Sequence, residues 1–466
     1  MNSEKQYIDL YEQHQEMIKR HSSGLMNSMR DDAFRAFCLK GFATRKQEEY
    51  KYTDMQTVMA PDLGLNLNRL EIPVNPYDAF KCDVPNLSTQ LYFVVNDVFY
   101  SKALPKTELP EGVIVDSLRK VSDENPELVA PYYNKMAQRS TMTATPYSKS
   151  VSTTEETETM DAITSLNTML CQDGLFIYVP KNVKVEKTLQ VINIMRSDVD
   201  MMINRRVLIV CEEGASVKAL FCDHTADDRQ FLTTQVVEVC VGDNASVDLY
   251  GLEETHVKNT LVSNTYIEQH RSSRVNHNLI TLHNGLTRQM TRLIFKGEGA
   301  ECWMNGCVIA DKKQHVDNNT LITHEVGHCD SHELYKYVLD DEATGAFAGK
   351  VLVVENAQKT TSAMTNQNLT ATRQARMYTQ PMLEIYADDV KCSHGSTVGQ
   401  LNDAAIFYMQ QRGISQQEAR MLLQFAFVGE VIAQIRLEPL RDRLHYLVEK
   451  RFRGELNKCE GCKLCK

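Results

Sequence analysis

The region from Leu175 to about Leu401 constrains the fold most, because short runs of β-forming residues follow one another there with few helical patterns between them. A four-residue echo divides the region: GASV at 214–217 recurs as NASV at 244–247 and, more loosely, as GAEC at 299–302. Small turn residues placed before each strand are typical of the successive coils of a β-solenoid. A β-sandwich would also show many short strands, so that alternative stays open at this point.

Helical patterns flank the β-rich region on both sides. Apolar residues recur at helical spacing over 3–51 and again from Asp403 onward, where Ser415 and Glu418 form a capping box. The expected division is a helical and mixed N-terminal domain at 1–155, a β-core at 156–401, a helical C-terminal domain at 402–456 and a Cys-rich tail at 457–466.

Composition and targeting signals narrow the class of protein. The formal net charge of -10 argues against a general nucleic-acid binder, which needs a basic surface. No run approaches the ~18 apolar residues that a membrane span requires, and residues 1–6 have no apolar signal-peptide core. Thirteen cysteines without an export signal predict reduced thiols. We therefore expect a cytoplasmic protein without membrane or nucleic-acid partners.

A thiol and an imidazole stand two residues apart, at Cys392 and His394. On an extended segment alternate side chains share a face, so these two side chains would point the same way. Such a soft S/N pair suits zinc, copper or iron–sulfur chemistry. Two ligands do not close a metal site, so the others would come from a partner or from elsewhere in the chain. The alternative is that Cys392 is simply a small apolar core residue.

A second candidate site is the sequence HEVGH at 324–328, which matches the zinc-peptidase pattern H-E-x-x-H. That pattern binds zinc through two imidazoles one helical turn apart, with the Glu activating a water. Here the motif follows strand-rich sequence rather than a helix. On a strand, His324, His328 and His332 would share a face and could form a surface metal site. A zinc metallopeptidase using His324 and His328 is therefore the rival functional hypothesis.

A third candidate lies in the last residues, where Cys459, Cys462 and Cys465 are separated by two-residue gaps. This spacing can wrap thiolates around one metal or part of an iron–sulfur cluster. We interpret the tail either as an auxiliary metal or cluster contact or as dispensable. The chain also has no Walker glycine loop with its Lys-Ser/Thr, which predicts that it does not hydrolyse nucleotide itself.

The sequence DVKCSHGSTVGQL at 389–401 resembles the SufD signature in the SufB/SufD family of the SUF iron–sulfur cluster assembly system. Tyr50 stands where the family usually has Trp, within the N-terminal motif at 44–53. Further stretches that resemble the family lie at 166–168, 173–181, 335–336, 345–350 and 408–413. The resemblance therefore covers most of the chain.

The resemblance implies a mainly β protein, with a right-handed parallel β-helix core flanked by N- and C-terminal α-helical regions. It also implies a heterodimer with the homologous SufB, and docking of the ATPase SufC on the C-terminal helices. The docking residues would lie around Tyr408, Phe425, Phe427 and Glu430. The residue matching His394 would lie at the SufB interface as a candidate ligand of a nascent cluster, with Cys392 as its neighbour.

The function implied by the resemblance is that of a non-catalytic scaffold, with ATP hydrolysis in SufC. Iron or an iron–sulfur cluster would be bound transiently and shared with SufB, flavin is a further candidate for the complex, and a homodimer is conceivable in isolation. His328 and His332 depart from the family pattern, which would have Pro and Gln there, and the three-Cys tail is not a general family feature. A metal-free β-solenoid binding protein is the remaining alternative.

Overall fold

The computed structural model describes residues 3–76, 89–102, 104–105, 108–138 and 160–453. Its core consists of two large sheets, whose strands are numbered here along the chain. Sheet A contains, in spatial order, β3 (Ile114–Ser117), β4 (Leu175–Val179), β6 (Met201–Cys211), β8 (Phe231–Val241), β10 (Asn259–Gln269), β12 (Leu286–Phe295), β14 (His315–His324), β16 (Thr344–Val353) and β18 (Arg376–Ile385). Sheet B contains β2 (Val98–Phe99), β1 (Thr89–Val95), β5 (Thr188–Met195), β7 (Ser216–Thr225), β9 (Ser246–Glu254), β11 (Arg274–His283), β13 (Glu301–Ala310), β15 (Asp330–Leu339), β17 (Thr361–Thr370) and β19 (Lys391–Gly399).

The chain winds between these sheets as a solenoid. From β4 onward, consecutive strands alternate between the sheets, and each strand pairs in parallel with the strand two further along. Such a winding produces one coil about every 30 residues, within the period range of repeat architectures. The predicted parallel β-solenoid is confirmed, and the sandwich alternative is wrong because successive strands stack in parallel coils.

The sequence echo marks the corners at which the chain turns from sheet A to sheet B. Every such corner before the last one, between β18 and β19, holds a residue in the left-handed backbone conformation: Asn182, Gly214, Asn244, Ser272, Gly299, His328 and Lys359. Glycine and asparagine adopt this conformation most easily, which explains the small residues of the echo. The corners stack through backbone hydrogen bonds, since the Gly214 N–H donates to the Asp243 carbonyl at 2.8 Å and the Asn244 N–H donates to the Arg271 carbonyl at 2.7 Å.

Alternate strand residues point into the solenoid and form its long core. Val217, Val247, Val275 and Cys302 lie in register on successive strands of sheet B, and all four are buried. Such stacked burial along the axis stabilises the solenoid by about 25 cal/mol for each Å² of apolar surface removed from water. The left-handed corners and these stacked inward side chains together set the position of each following strand.

A buried carboxyl group lies inside this core on β15. Glu333 on β15 is buried; its Oε2 accepts a hydrogen bond from the Thr320 hydroxyl at 3.1 Å, whereas its Oε1 lacks a partner among the described residues. Burial raises the pKa of Glu333 from 4.5 to about 8. The stability that this group contributes is fully present below pH ~4.5 and is lost as the pH rises through ~8.

Replacing Glu333 with Gln is therefore expected to change thermal stability little at pH 5 and to stabilise the protein at pH 9. The gain should be on the order of a few kcal/mol, since one pKa unit corresponds to about 1.4 kcal/mol. Thermal unfolding of both proteins across this pH range measures it. The matched control, Glu342→Gln, changes an exposed carboxyl group and should show no such trend. A pH-independent effect of Glu333→Gln would contradict the prediction.

Helices cover the outer faces of both sheets. They are α1 (Ser3–Arg20), α2 (Gly24–Ser28), α3 (Arg30–Lys40), α4 (Met55–Val58), α5 (Leu118–Glu124), α6 (Pro126–Val129), α7 (Ala162–Leu170), α8 (Asp403–Gln410), α9 (Gln416–Ala433) and α10 (Glu438–Phe452), with a 3-10 turn at Glu48–Tyr50. Helices α1, α3 and α7 pack on sheet A, and α9 and α10 pack on sheet B. The expected helical flanks are thus confirmed, including the cap of α9, where the Ser415 hydroxyl accepts from the Glu418 N–H at 3.1 Å. Among the helices of the described ranges, none is long and apolar enough to cross a bilayer.

The two ends of the solenoid differ. At the start, antiparallel pairing of β1 with β2 and of β3 with β4 ends the parallel stack. At the other end β18 and β19 are the outermost members of their sheets, and among the described residues no strand follows them. The last coil therefore presents two unpaired strand edges.

Candidate functional site

Cys392 and His394 lie on β19, the last strand of sheet B. Cys392 pairs in register with Ser362, and His394 pairs with Met364. Ser362 and Met364 are both buried on the inward face of β17. Since side chains in register share a face, the thiol and the imidazole both lie on the inward face of the last coil.

The inward face of β19 is open to solvent because no coil stacks on it. His394 is exposed, Cys392 is half-buried, and the inward-facing Val398 is 50% exposed. The equivalent positions one coil earlier are buried. The two sheets are joined at this end by a hydrogen bond between the Thr379 and Ser396 hydroxyls at 2.7 Å. The position at the end of the stack thus exposes a metal-ligating pair that would be covered in any earlier coil.

The chemistry of the Cys392 thiol follows from its partial burial. Burial raises its pKa, while a hydrogen bond from the Ser362 backbone N–H acts in the opposite direction. The thiol is therefore protonated at neutral pH, and a metal must displace that proton to bind the thiolate. Within the described ranges, no group of three or more His, Cys, Asp or Glu side chains could hold a metal ion. A metal bound at Cys392 and His394 would need further ligands from outside these residues.

The three histidines around the H-E-x-x-H sequence face three different directions. His324 ends β14 inside the solenoid, where its Nε2 lies 3.0 Å from the Ser331 hydroxyl and burial lowers its pKa to about 3. His328 is the left-handed corner residue, with φ 58°. His332 lies on the outer face of β15, stacked on Trp303 with ring centroids 5.9 Å apart. The expectation that these imidazoles share a face is wrong, because the strand ends at His324 and the chain turns at His328.

The residues suggested for partner binding differ in accessibility. Tyr408 on α8 is 56% exposed, and its neighbour Phe407, which the sequence analysis missed, is 62% exposed. Phe425 and Phe427 are half-buried on α9. The Lys336 ammonium lies 4.5 Å from the Phe427 ring centroid and forms an ion pair with Glu430. Phe427 and Glu430 thus fasten α9 to sheet B, whereas Phe407 and Tyr408 face solvent.

The tail cysteines Cys459, Cys462 and Cys465 lie outside the described residues. Their suggested role as an auxiliary metal or cluster contact stays a prediction, as do the ligand roles of Cys392 and His394. The domain boundaries drawn from the sequence also stay predictions.

The sequence matches two models of known protein families. Residues 1–191 match the family model described as "SufBD protein N-terminal region", and residues 193–427 match "SUF system FeS cluster assembly, SufBD core domain". The chain belongs to the SufBD family. Membership supports a role in iron–sulfur cluster assembly and confirms the resemblance noted in the sequence.

Individual relatives in the SufBD family agree with this assignment. The chain is 31% identical to the iron–sulfur cluster assembly protein SufD of Escherichia coli over 243 residues, which cover 52% of this chain and 57% of that protein. It is 26% identical over 423 residues to a SufBD family protein of Synechocystis, covering 87% of each. It is 25% identical over 376 residues to SufD of Bacillus subtilis, covering 80% of this chain and 81% of that protein. The findings are consistent with SufD.

Proposed function

We propose that this chain is a non-catalytic scaffold subunit of the SUF system, in which Cys392 and His394 contribute ligands to iron or a nascent iron–sulfur cluster. The observation that carries the proposal is the inward-facing thiol and imidazole pair left accessible at the open end of the solenoid. Clusters are held by thiolates and occasionally by imidazole, so the residue types suit this substrate. Cys392 and His394 supply only two ligands, so a partner chain would have to supply the others.

A homologous chain of the SufB type is the partner that suits the open end. The edges of β18 and β19 leave backbone N–H and C=O groups available for pairing with another strand. A solenoid that ends in the same way would add its last strands to both sheets and would cover Val398. Ligands from the partner would then meet Cys392 and His394 at the interface. Separation of the two edges would release the assembled cluster.

Docking of a SufC-type ATPase is assigned to the exposed aromatic residues of α8. Aromatic side chains carry much of the affinity in protein interfaces. The double replacement of Phe407 and Tyr408 with Ser is expected to weaken ATPase binding by about tenfold or more and to leave thermal stability unchanged, since both side chains are exposed. Titration of the ATPase onto the immobilised chain measures this effect. Tyr446→Ser on α10, which is 45% exposed, is the matched control and should bind normally; equal weakening by both variants would contradict the assignment.

The proposed function is tested first by anaerobic affinity purification of the chain from its own cells, with identification of the proteins that accompany it. Iron and acid-labile sulfide are assayed in the same preparation. We expect a homologous second subunit, an ABC-type ATPase and bound sulfide. Recovery of the chain alone, with neither iron nor sulfide, would reject the scaffold function and favour the metal-free β-solenoid binding protein.

A further inference from the structure

A short segment of the N-terminal region crosses the outer face of sheet A. This segment, Glu48 to Thr53, is called the brace here. Its Tyr50 ring lies under the Arg288 guanidinium of β12, 3.8 Å from the ring centroid. Its Thr53 hydroxyl donates to Asp317 of β14 and lies 3.0 Å from His315 Nε2 on the same strand. The brace is thus anchored on β12 by a cation–π contact and on β14 by hydrogen bonds.

From these anchors the brace reaches the last strand of sheet A. The Tyr52 ring stacks on Tyr378 of β18, with centroids 4.8 Å apart and planes 18° apart. The Tyr52 hydroxyl donates to Gln380 Oε1 at 3.2 Å, and Gln380 Nε2 donates to Glu48 Oε1 at 2.8 Å. Tyr52 and Glu48 of the brace therefore contact Tyr378 and Gln380 of the edge strand β18.

The intervening strand β16 has small outward-facing side chains between the strands that the brace contacts. Ala346 lies in register between Asp317 and Tyr378, the two residues that the brace contacts on either side. Ala346 and the next outward-facing residue, Ala348, have small side chains, and both are buried although they point away from the core. A larger side chain at Ala346 would lie between the two contact points of the brace.

The other edge strand lacks such support within the described part of the chain. The outward-facing side chains of β19 include Lys391, Ser393 and Thr397, and all three are exposed. This strand is held by its ladder with β17 and by the Thr379–Ser396 hydrogen bond. The open end of the solenoid therefore consists of one strand secured from outside and one strand left accessible on its outer face.

We propose that the brace holds β18 as a preformed edge, to which the terminal strand of a homologous solenoid chain is added. This inference rests on the proposed function, because it concerns the same pairing surface. Ordering an edge strand before association removes an entropic cost of binding, so an edge held in advance pairs more tightly than a free one. The N-terminal region would in this way set the affinity of the partner interface that lies beside Cys392 and His394.

The first test uses the isolated full chain and amide hydrogen exchange. In Tyr52→Ala we expect the β18 amides to exchange about tenfold faster, because the stack and the Gln380 hydrogen bond are both lost. The β19 amides should keep their rates. Tyr378→Ala removes the same stack from the strand side and keeps the Tyr52 hydroxyl, so it should give a smaller increase, and the double variant should exchange no faster than Tyr52→Ala. Unchanged β18 exchange in both folded single variants would overturn the inference.

The controls separate the stack from the hydroxyl contact and from general destabilisation. Tyr52→Phe keeps the stacked ring and loses only the donor to Gln380, so its β18 exchange should lie between those of the wild type and Tyr52→Ala. Tyr408→Ala changes an exposed aromatic residue of α8 and should leave β18 exchange unchanged. A rise in β18 exchange in Tyr408→Ala would also overturn the inference, since the effect would then be unspecific.

The second test measures binding of a SufB-type chain from the same cells by titration. We expect Tyr52→Ala to weaken pairing by about tenfold, in step with the exchange result. If the wild type pairs and Tyr52→Ala pairs equally well, the brace has no role in association and the inference fails while the proposed function stands. If the wild type itself does not pair, the proposed function fails, whatever the exchange rates show.

Discussion

Replacing His394 with Ala is expected to stop cluster build-up while the complex with the partner chain still assembles. His394 is exposed at the open end, so removing its side chain costs the fold little. It would however remove one of the two ligands that this chain offers, leaving the half-buried Cys392 thiol alone. Loss of residues that merely orient a ligand lowers metal affinity by about 10- to 100-fold. Loss of the ligand itself should lower cluster content by at least this factor.

The measurement is iron and acid-labile sulfide per complex after anaerobic reconstitution, together with gel filtration to show that the complex is intact. His394→Cys keeps a soft ligand in place and should restore part of the cluster content. Ser393→Ala is the matched control, because Ser393 is the exposed neighbour on the opposite face of β19. Normal cluster build-up in His394→Ala would reject the assignment of His394 as a ligand.

The solenoid was predictable because its corners impose a local backbone requirement that leaves a trace in sequence. Gly214, Asn244 and Gly299 adopt the left-handed conformation, and the residues that follow them enter the core, so the echo recurs at these three corners. His328 and Lys359 occupy equivalent corners without being small. Tertiary stacking imposes the same conformation on them. For this reason the H-E-x-x-H sequence gave no local signal of the corner at His328.

The exposure of the candidate site was less predictable. Alternation placed Cys392 and His394 on one face, and the register of β19 against β17 agrees with that. Nothing in the local sequence distinguishes this strand from a covered one, because its exposure depends on the absence of a further coil in the described chain. Likewise, the exposure of Phe407 depends on how α8 lies on the molecule, which helical periodicity alone does not determine.

The second large effect is expected at a buried ion pair that joins the N-terminal region to sheet A. Arg206 Nη2 donates to Glu238 Oε2 at 2.6 Å, and both side chains are fully buried. Arg206 also lies over the Tyr133 ring, 4.6 Å from its centroid, and donates to Asn134 Oδ1. Glu238 accepts the backbone N–H groups of Asn134, Met136 and Ala137 at 2.8, 3.1 and 3.2 Å. The pair therefore fixes the segment 133–137 against β6 and β8.

Arg206→Met is expected to lower the free energy of unfolding by about 3–5 kcal/mol, because it leaves the Glu238 carboxylate buried without its cation. Urea unfolding followed by circular dichroism measures the loss. The matched control is Lys181→Met, which breaks an exposed pair with Glu213 and should change stability little. A loss in Arg206→Met no larger than that of the control would contradict the prediction.

The double variant Arg206→Met/Glu238→Gln separates the ion pair from the packing around it. Once Arg206 is gone, neutralising Glu238 removes the unpaired buried charge, so the double variant should lose about 1–3 kcal/mol less than the sum of the single variants. Strict additivity would mean that the two groups act independently, through the Tyr133 ring and through the backbone N–H groups.

Because the pair lies on β6 and β8, near the start of the solenoid, Arg206→Met at a temperature where it remains folded should still assemble clusters at β19. Stability and cluster chemistry are thus expected to respond to different residues at the two ends of one solenoid.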